Sequence, residues 1–228
     1  MKDSLVSILS ISAAFFLILF FGSQAVAEQK NEDLNLLVEL LPKHCAFTGD
    51  FHQKRFVRSL PAPVISQGSF FFSCQAGLIW HTQSPINESL VYVENGDSFQ
   101  IRPKQPPQKL KGRFHSYLSY FLLNLLAVEI DYLVENFSIE SNLDSLARAD
   151  NKEGLSIVLR PLSKSIKRAI RSIVLTKWNE DTQLSITNTS GETTQVTIEN
   201  VKEQMKGDLG GCIEVDGSAG IACDVLLQ

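Results

Sequence analysis

The chain has 228 residues, of which 44% are hydrophobic and 20% are charged, and its formal net charge is −4. A chain of this length can bury the core of one ordinary domain. Nucleic acid is excluded as a partner, because binding to it requires a basic footprint that an acidic chain of ordinary composition lacks.

The N-terminal residues have the organisation of an export signal. An uncharged apolar run extends from Leu5 to Phe21, and Ala25-Val26-Ala27 fits the small-residue cleavage rule. We expect cleavage after Ala27, which removes residues 1–27 and leaves one mature domain over residues 28–228. The alternative is an uncleaved anchor, because the apolar run would just reach across a bilayer.

A helix is predicted directly after the signal. Asn31 can cap it, and Pro42 stops it. Between these two residues, apolar side chains recur at helical spacing, at Leu34, Leu37, Val38 and Leu41. We expect this helix to lie on a face of a sheet.

Strand-like segments occupy the next part of the chain. Phe47–Val57 places apolar residues among polar ones before prolines break the pattern, and Gly68–Cys74 is apolar on both faces. A strand of the second kind is usually covered on both sides. Gly77–His81 and Leu90–Val93 begin again after turn residues, so the pattern predicts an antiparallel meander.

All four cysteines lie in the mature part, where an even number in an oxidising compartment favours disulfides. Of the three possible pairings we favour Cys45 with Cys74, since these residues flank a turn centred near Leu60, and Cys212 with Cys223. The second bridge would pin residues 206–228 as a C-terminal extension whose hairpin caps the edge of the sheet. Metal binding and thiol exchange are not predicted, because no Cys-x-x-Cys is present.

A basic segment, which we interpret as a loop, stands out in this acidic chain. No acidic residue occurs between Asp97 and Glu129. Five cations accumulate there, at Arg102, Lys104, Lys109, Lys111 and Arg113. The segment is either a solvated linker or a docking surface for an acidic partner or anionic headgroups.

The segment Tyr117–Val128 is apolar nearly all round, and at 12 residues it is too short to span a membrane. We expect a helix that is covered by protein or inserted at an interface. Beyond it the pattern predicts a helical turn, a basic helix over Ser163–Arg168 and five strands, for a total of roughly ten strands and three or four helices. These strands lie at Phe137–Leu143, Leu155–Pro161, Ile170–Trp178, Thr182–Thr187 and Thr193–Val201.

Catalytic patterns are scarce. The four histidines, His44, His52, His81 and His115, are scattered singly, and neither a metalloprotease motif nor a nucleophile elbow is present. We therefore predict no catalytic residue, no metal site and no cofactor, and we do not expect an enzyme.

Several motifs resemble the LolA family of periplasmic carriers of outer-membrane lipoproteins. Phe51-x-Gln53, Gly68, Gly77-Leu-Ile-Trp80 and Pro85 stand in the family's order and spacing. The resemblance continues in three later segments, Leu155–Pro161, Ile170–Leu175 and Thr189–Val201. Together the motifs cover roughly residues 32–202. The related outer-membrane receptor LolB is disfavoured, because it is itself a lipoprotein and the first 44 residues of this chain contain no cysteine.

The resemblance implies a mainly β, α+β fold: an incomplete, strongly curved antiparallel half-barrel with a helical lid over an apolar cavity. It implies a monomeric periplasmic carrier that binds the acyl chains of lipoproteins or related lipids. An inner-membrane Lol-type ABC transporter and an outer-membrane receptor are the implied partners. We expect the cavity lining to come from Phe51, Phe70, Phe72, Leu78, Trp80, Tyr92, Leu118, Phe121, Leu122 and Leu125.

One feature of the family is absent. The arginine that contacts the lid in well-known LolA proteins aligns here with Cys74 and Gln75, so no lid-locking arginine carries over. Two alternatives to a carrier remain open: a periplasmic interaction or accessory module with the same fold, and an enzyme acting on a lipid headgroup.

Overall fold

A computed structural model describes residues 32–94, 96–111, 113–141, 155–178, 181–204, 212 and 220–227, without the side chains of residues 113–119. The predicted export signal lies outside these ranges, as do Asn31 and the turn before Leu155. None of the helices in the described ranges is long and apolar enough to cross a membrane.

The described residues form one sheet of eleven antiparallel strands and five helices. The strands are β1 (Ala46–Phe56), β2 (Val64–Ser73), β3 (Gly77–Ser84), β4 (Glu88–Val93), β5 (Ser98–Ile101), β6 (Gln108–Lys109), β7 (Phe137–Ser141), β8 (Leu155–Pro161), β9 (Ile170–Trp178), β10 (Asp181–Asn188) and β11 (Thr193–Glu203). The helices are α1 (32–40), α2 (Arg113–Leu126), α3 (Ile130–Asn136), α4 (Lys164–Lys167) and α5 (Ile221–Leu226).

The strand order shows that the sheet consists of two meanders. It runs β6-β5-β4-β3-β2-β1-β11-β10-β9-β8-β7, so β1 and β11 join the two halves while β6 and β7 form the edges. The chain passes from one edge to the other through α2 and α3. An open sheet whose edges are connected by helices across its inner face is a curved half-barrel with a helical lid, which confirms the predicted fold class.

The inner face of the sheet carries the main core. Phe47, Phe70 and Leu78 from the first half and Ile173 and Leu184 from the second half are buried in it. The three longer helices before β7 bury apolar residues in the same core, at Leu37, Leu40, Phe121, Leu125 and Leu133. α1 is also tied to the far edge, since Asp33 Oδ1 accepts a hydrogen bond of 3.0 Å from the backbone N–H of Ser141.

Gly68 lets the backbone of β3 and the ring of Phe51 approach β2 closely at the centre of the first half. A Cβ at this position would lie 1.9 Å from the carbonyl oxygen of His81 and 3.0 Å from Cζ of Phe51. Gly68 is the register partner of Phe51, so the absence of a side chain leaves room for the Phe51 ring above it. The Phe51 ring then stacks on Trp80, with centroids 3.9 Å apart.

A second, smaller core lies on the outer face of the first half. Phe71, Ile79 and Val91 are fully buried there against α5 and Cys212. The prediction that the second strand is covered on both sides is therefore confirmed. The prediction of a C-terminal hairpin at the sheet edge is wrong, because Cys223 lies in a helix that packs on the outer face of β3 and β4.

The structure forms both expected disulfides. Cys45 and Cys74 close the β1–β2 hairpin with their Cα atoms 5.1 Å apart, and the backbone N–H of Cys74 donates to the carbonyl of Cys45. Cys212 and Cys223 bridge with Cα atoms 5.9 Å apart and anchor α5. No free cysteine occurs among the described residues.

The expected apolar helix and basic helix correspond to α2 and α4, and each of the nine predicted strands matches an observed one. The interpretation of the polar segment after Asp97 as a loop is only partly right. Ser98–Ile101 and Gln108–Lys109 form β5 and β6, which were hidden because they are short and lie among polar residues and prolines.

Candidate functional site

A cavity of about 440 Å³ lies against the inner face of the sheet. Its wall combines side chains from both halves of the sheet, and α1 and α2 contribute leucines. The wall is mostly apolar, and cavities of about 300–1,000 Å³ are typical of small-molecule sites. The helices therefore roof a space that the side chains of the sheet do not fill.

Aromatic side chains form the floor of the cavity in the first half. The Phe70 and Trp80 rings stack with centroids 5.8 Å apart, and Phe47 meets Phe70 edge-on at 5.9 Å. Together with Leu78 and Tyr92 these residues present a broad, rigid apolar surface. Aromatic side chains of this size offer a large apolar contact area.

The second half and the adjoining end of β1 supply a polar border. Arg55 Nη2 lies 3.9 Å from Glu192 Oε2, and Asn188 Nδ2 donates to the same oxygen at 3.1 Å. Lys177 also lines the cavity, on the same row as Thr182, and no described carboxylate lies within ion-pair distance of it. The cavity is therefore amphipathic.

The roof is held by side-chain packing at its far side. Phe121 of α2 meets Phe137 of β7 with ring centroids 5.4 Å apart, and Tyr120 meets Tyr132 of α3 edge-on at 5.1 Å. Between α2 and α3, Val128 has a φ of 57°, which is uncommon for a β-branched residue. This left-handed residue ends α2 and turns the chain sharply into α3.

Six of the ten predicted lining residues lie in the cavity wall: Phe70, Leu78, Trp80, Tyr92, Leu122 and Leu125. Phe51, Phe72 and Phe121 are buried in the surrounding core without lining the cavity. The side chain of Leu118 lies outside the described part of the chain. The role of these residues in binding lipid stays a prediction.

Sequence reasoning missed the contribution of the second half. Leu175, Leu184, Ile186, Val196 and Ile198 all face the cavity. The signal was present, because Thr182, Leu184 and Ile186 alternate with outward polar residues, as do Thr194, Val196 and Ile198. The polar border gave no signal, since single polar residues near strand ends are commonplace.

The positions aligned with the family's lid-contacting arginine have other roles. Cys74 is in a disulfide, and the backbone N–H of Gln75 donates to the hydroxyl of Ser73. The described contacts that hold the roof include aromatic packing between Phe121 and Phe137 and buried leucines such as Leu125.

The predicted docking residues differ in how far nearby carboxylates compensate their charges. Arg102 donates to Glu88 at 3.0 Å, and Lys109 forms an ion pair with Asp97, so the charge of each is partly compensated. Lys104 and Lys111 are exposed without a described acidic partner, and the side chain of Arg113 is outside the described part. Docking at this surface stays a prediction.

Three of the four histidines are described with a partner. His81 Nδ1 lies 2.9 Å from the hydroxyl of Ser89 on the outer face, and both residues are buried. His44 and His52 lie within ion-pair distance of Glu203 and Glu199. Among the described residues, no group of three or more His, Cys, Asp or Glu side chains could hold a metal ion.

Three described groups, Tyr92, Glu94 and Tyr132, have displaced pKa values. Burial raises the pKa of Tyr92 to about 12. Burial, and then the nearby Glu129 carboxylate, raise the pKa of Glu94. Glu94 lies in the β4–β5 turn and Glu129 directly precedes α3, so this turn lies close to the start of α3, where the roof meets the rim of the sheet.

The chain belongs to the class of open, curved antiparallel sheets with a helical roof over an apolar cavity. No family model matches the chain, and no curated protein matches its sequence. Similar solved structures exist. One is a LolA superfamily protein from Nitrosomonas europaea, with 10% identity, a TM-score of 0.42, and coverage of 81% of this chain and 96% of that chain.

Two further solved structures are similar over most of the chain. A DUF1329 family protein from Desulfovibrio piger has 8% identity and a TM-score of 0.45, with 84% of this chain and 98% of that chain covered. A domain named as an outer membrane lipoprotein-sorting protein, from Vibrio parahaemolyticus, has 8% identity and a TM-score of 0.46, with 89% and 100% covered. At identities this low, the function of this chain has to be inferred from its own cavity.

Proposed function

We propose that this protein is a periplasmic carrier that binds the acyl chains of lipoproteins, or of a related lipid, and ferries them toward the outer membrane. The observation that carries this proposal is the cavity of about 440 Å³ between an aromatic sheet face and the leucines of two helices. The two disulfides suit an oxidising compartment such as the periplasm.

The energetics support a carrier. Each buried methylene contributes about 0.8 kcal/mol, so ten methylenes contribute about 8 kcal/mol before the costs of association are subtracted. Acyl chains of this kind cannot cross an aqueous compartment unprotected. A site that relies on apolar contact alone tolerates different chains and releases them when the roof opens.

The position of the roof suits reversible binding. α2 and α3 connect the two edges of the sheet and meet it through side chains such as Phe121 and Leu125. The roof can therefore move without breaking the ladder between neighbouring strands. Loading by an inner-membrane transporter and unloading at an outer-membrane receptor would both require such a movement.

Filling the cavity tests the proposal. In Leu184→Trp the added ring enters the cavity, so uptake of a fluorescent fatty-acyl probe by the delipidated protein should fall at least tenfold while the fold is kept. The matched control is Ser185→Trp, which places the same residue on the opposite face of β10. A charged residue at Leu125, which is 2% exposed, should also abolish uptake because desolvation of a charge outweighs the remaining contacts.

Two results would count against a carrier: equal uptake by Leu184→Trp and Ser185→Trp, or no uptake by the unmodified protein at micromolar probe. Either result would favour the alternative of an interaction module that uses the same fold without lipid transport. Native mass spectrometry of freshly purified protein provides an independent measurement, since a carrier should retain acylated molecules of defined mass.

A further inference from the structure

A buried tyrosine borders the cavity, and its hydroxyl has no hydrogen-bond partner among the described residues. Tyr92 lies in β4, is 3% exposed and lines the cavity. Its hydroxyl forms no hydrogen bond to any described residue. This is unusual, because buried tyrosine hydroxyl groups are nearly always hydrogen-bonded.

The described register partners of Tyr92 do not supply an acceptor. Its register partners are Leu78 on β3 and Ser98 on β5. Leu78 is fully buried and apolar, and the hydroxyl of Ser98 makes no described hydrogen bond to Tyr92. α1 and α2 contribute leucines to the cavity wall, at Leu40, Leu122 and Leu125, and Leu41 follows directly after α1. An acceptor that enters the cavity would thus meet a donor with no competing partner in the described part of the chain.

A phenylalanine would fill the same space without leaving a buried donor unsatisfied. A tyrosine at this position is therefore informative about the ligand. Its hydroxyl can donate to a carbonyl oxygen, which ester-linked and amide-linked acyl chains possess, while alkyl chains joined by ethers present only a weak acceptor. The raised pKa of Tyr92 agrees with a neutral hydroxyl that is available as a donor.

We propose that Tyr92 donates a hydrogen bond to the carbonyl oxygen of an ester-linked or amide-linked acyl chain, so that the cavity selects acylated cargo over ether-linked or plain alkyl chains. This inference rests on the proposed carrier function. It adds a polar recognition point to a wall that otherwise binds hydrocarbon by area alone.

The test compares two labelled lipids of equal chain length. One is a diacylglycerol with one pyrene-labelled acyl chain, and the other is the dialkyl ether analogue with the same label. The unmodified protein should bind the ester about fivefold more tightly than the ether, which corresponds to about 1 kcal/mol for one neutral hydrogen bond. Tyr92→Phe should bind both lipids equally, at the affinity of the unmodified protein for the ether.

Tyr132→Phe is the matched control, since Tyr132 is a half-buried tyrosine that does not line the cavity. It should keep the fivefold preference. Equal binding of ester and ether by the unmodified protein overturns the inference and leaves the carrier proposal intact, as does a preference that survives in Tyr92→Phe. If neither lipid binds, both proposals fail. The ratio of ester affinity to ether affinity is measured on the unmodified protein. Equal affinities would therefore overturn the inference even if Tyr92→Phe folds poorly.

Discussion

The two halves of the sheet follow different sequence patterns. In β2 to β4 apolar residues occupy both faces, and α5 covers the outer face over Phe71 and Ile79. In β8 to β11 apolar residues face inward, while outward hydroxyl groups pair across strands, as in Ser156 with Thr176 and Thr187 with Thr193. The first half is therefore covered on both faces, whereas the outer face of the second half carries these hydroxyl pairs beside one apolar pair, Val158 with Val174.

The two halves therefore contribute different parts of the cavity wall. The first half supplies a rigid aromatic floor whose position is fixed from behind by the second core. The second half supplies aliphatic wall and the polar border around Arg55, Lys177 and Glu192. A carrier needs a stable floor and an accessible border, and the two patterns meet these needs separately.

The largest expected effect concerns the covered outer face. Phe71 is 0% exposed beneath α5, so Phe71→Ala should lower the free energy of unfolding by about 3–5 kcal/mol, through lost apolar burial and the cavity left behind. Urea denaturation followed by circular dichroism measures this change.

Phe56→Ala is the matched control, because Phe56 is 42% exposed and its truncation should change the free energy by less than about 1 kcal/mol. Equal losses of unfolding free energy in the two variants would show that the residues beneath α5 do not form a stabilising core. The contrast between the halves would then reduce to composition alone.

The sequence predicted local structure better than long-range pairing. The run Phe70-Phe71-Phe72 indicated a strand covered on both sides, and the apolar segment ending at Val128 indicated a buried helix, because each pattern reports its own surroundings. The pairing of β1 with β11 joins residues about 150 positions apart, such as Phe51 and Ile198. No local pattern contains that information.

The cavity was predicted in part for the same reason. The aromatic residues of the first half stood out by size, so Phe70, Trp80 and Tyr92 were identified from the sequence. The residues of the second half are ordinary aliphatic ones, and only the closure of the sheet brings Leu184 and Val196 opposite that floor. The C-terminal tail misled because a cysteine beside a turn motif fits a hairpin and a short helix equally well.

An intermediate effect concerns the pH dependence of the aromatic floor. Burial raises the pKa of Tyr92 from 10.0 to about 12 in the folded protein. Below pH 10 both states are neutral and stability is unaffected, whereas between pH 10 and 12 the unfolded chain ionises first. The unmodified protein should therefore lose about 2–3 kcal/mol relative to Tyr92→Phe across this window.

Denaturant titrations of both proteins from pH 9 to 12 measure the difference and cancel the contribution of other groups. Tyr132→Phe should show a change in the same direction, because burial and then the nearby Tyr120 raise the pKa of Tyr132 to about 12. The change should be smaller than for Tyr92→Phe, because Tyr132 is only partly buried and solvent screens its ionisation. A difference between the unmodified protein and Tyr92→Phe that stays constant with pH would mean that Tyr92 ionises freely in the folded state. The floor of the cavity would then be wet.

The smallest expected effect on stability concerns the basic edge of the first half. Lys104 and Lys111 are exposed, and unlike Arg102 and Lys109 they have no described acidic partner. Reversing both to glutamate should change the free energy of unfolding by less than about 0.5 kcal/mol. If this edge docks on anionic headgroups, affinity for vesicles that contain anionic lipid should fall at least about tenfold at low salt, since each lysine near such a surface contributes about 1 kcal/mol.

The matched control reverses Lys164 and Lys167, two exposed lysines of α4 beside the second half. It makes the same change in net charge, so it separates a local docking surface from general attraction to the membrane. A docking surface on the first half requires that the Lys104 and Lys111 reversals weaken binding much more than the control, and that added salt removes most of the difference. Equal weakening by both pairs would show that net charge alone governs association, and the basic segment would then be a solvated edge whose lysines protect β6 from pairing with another sheet.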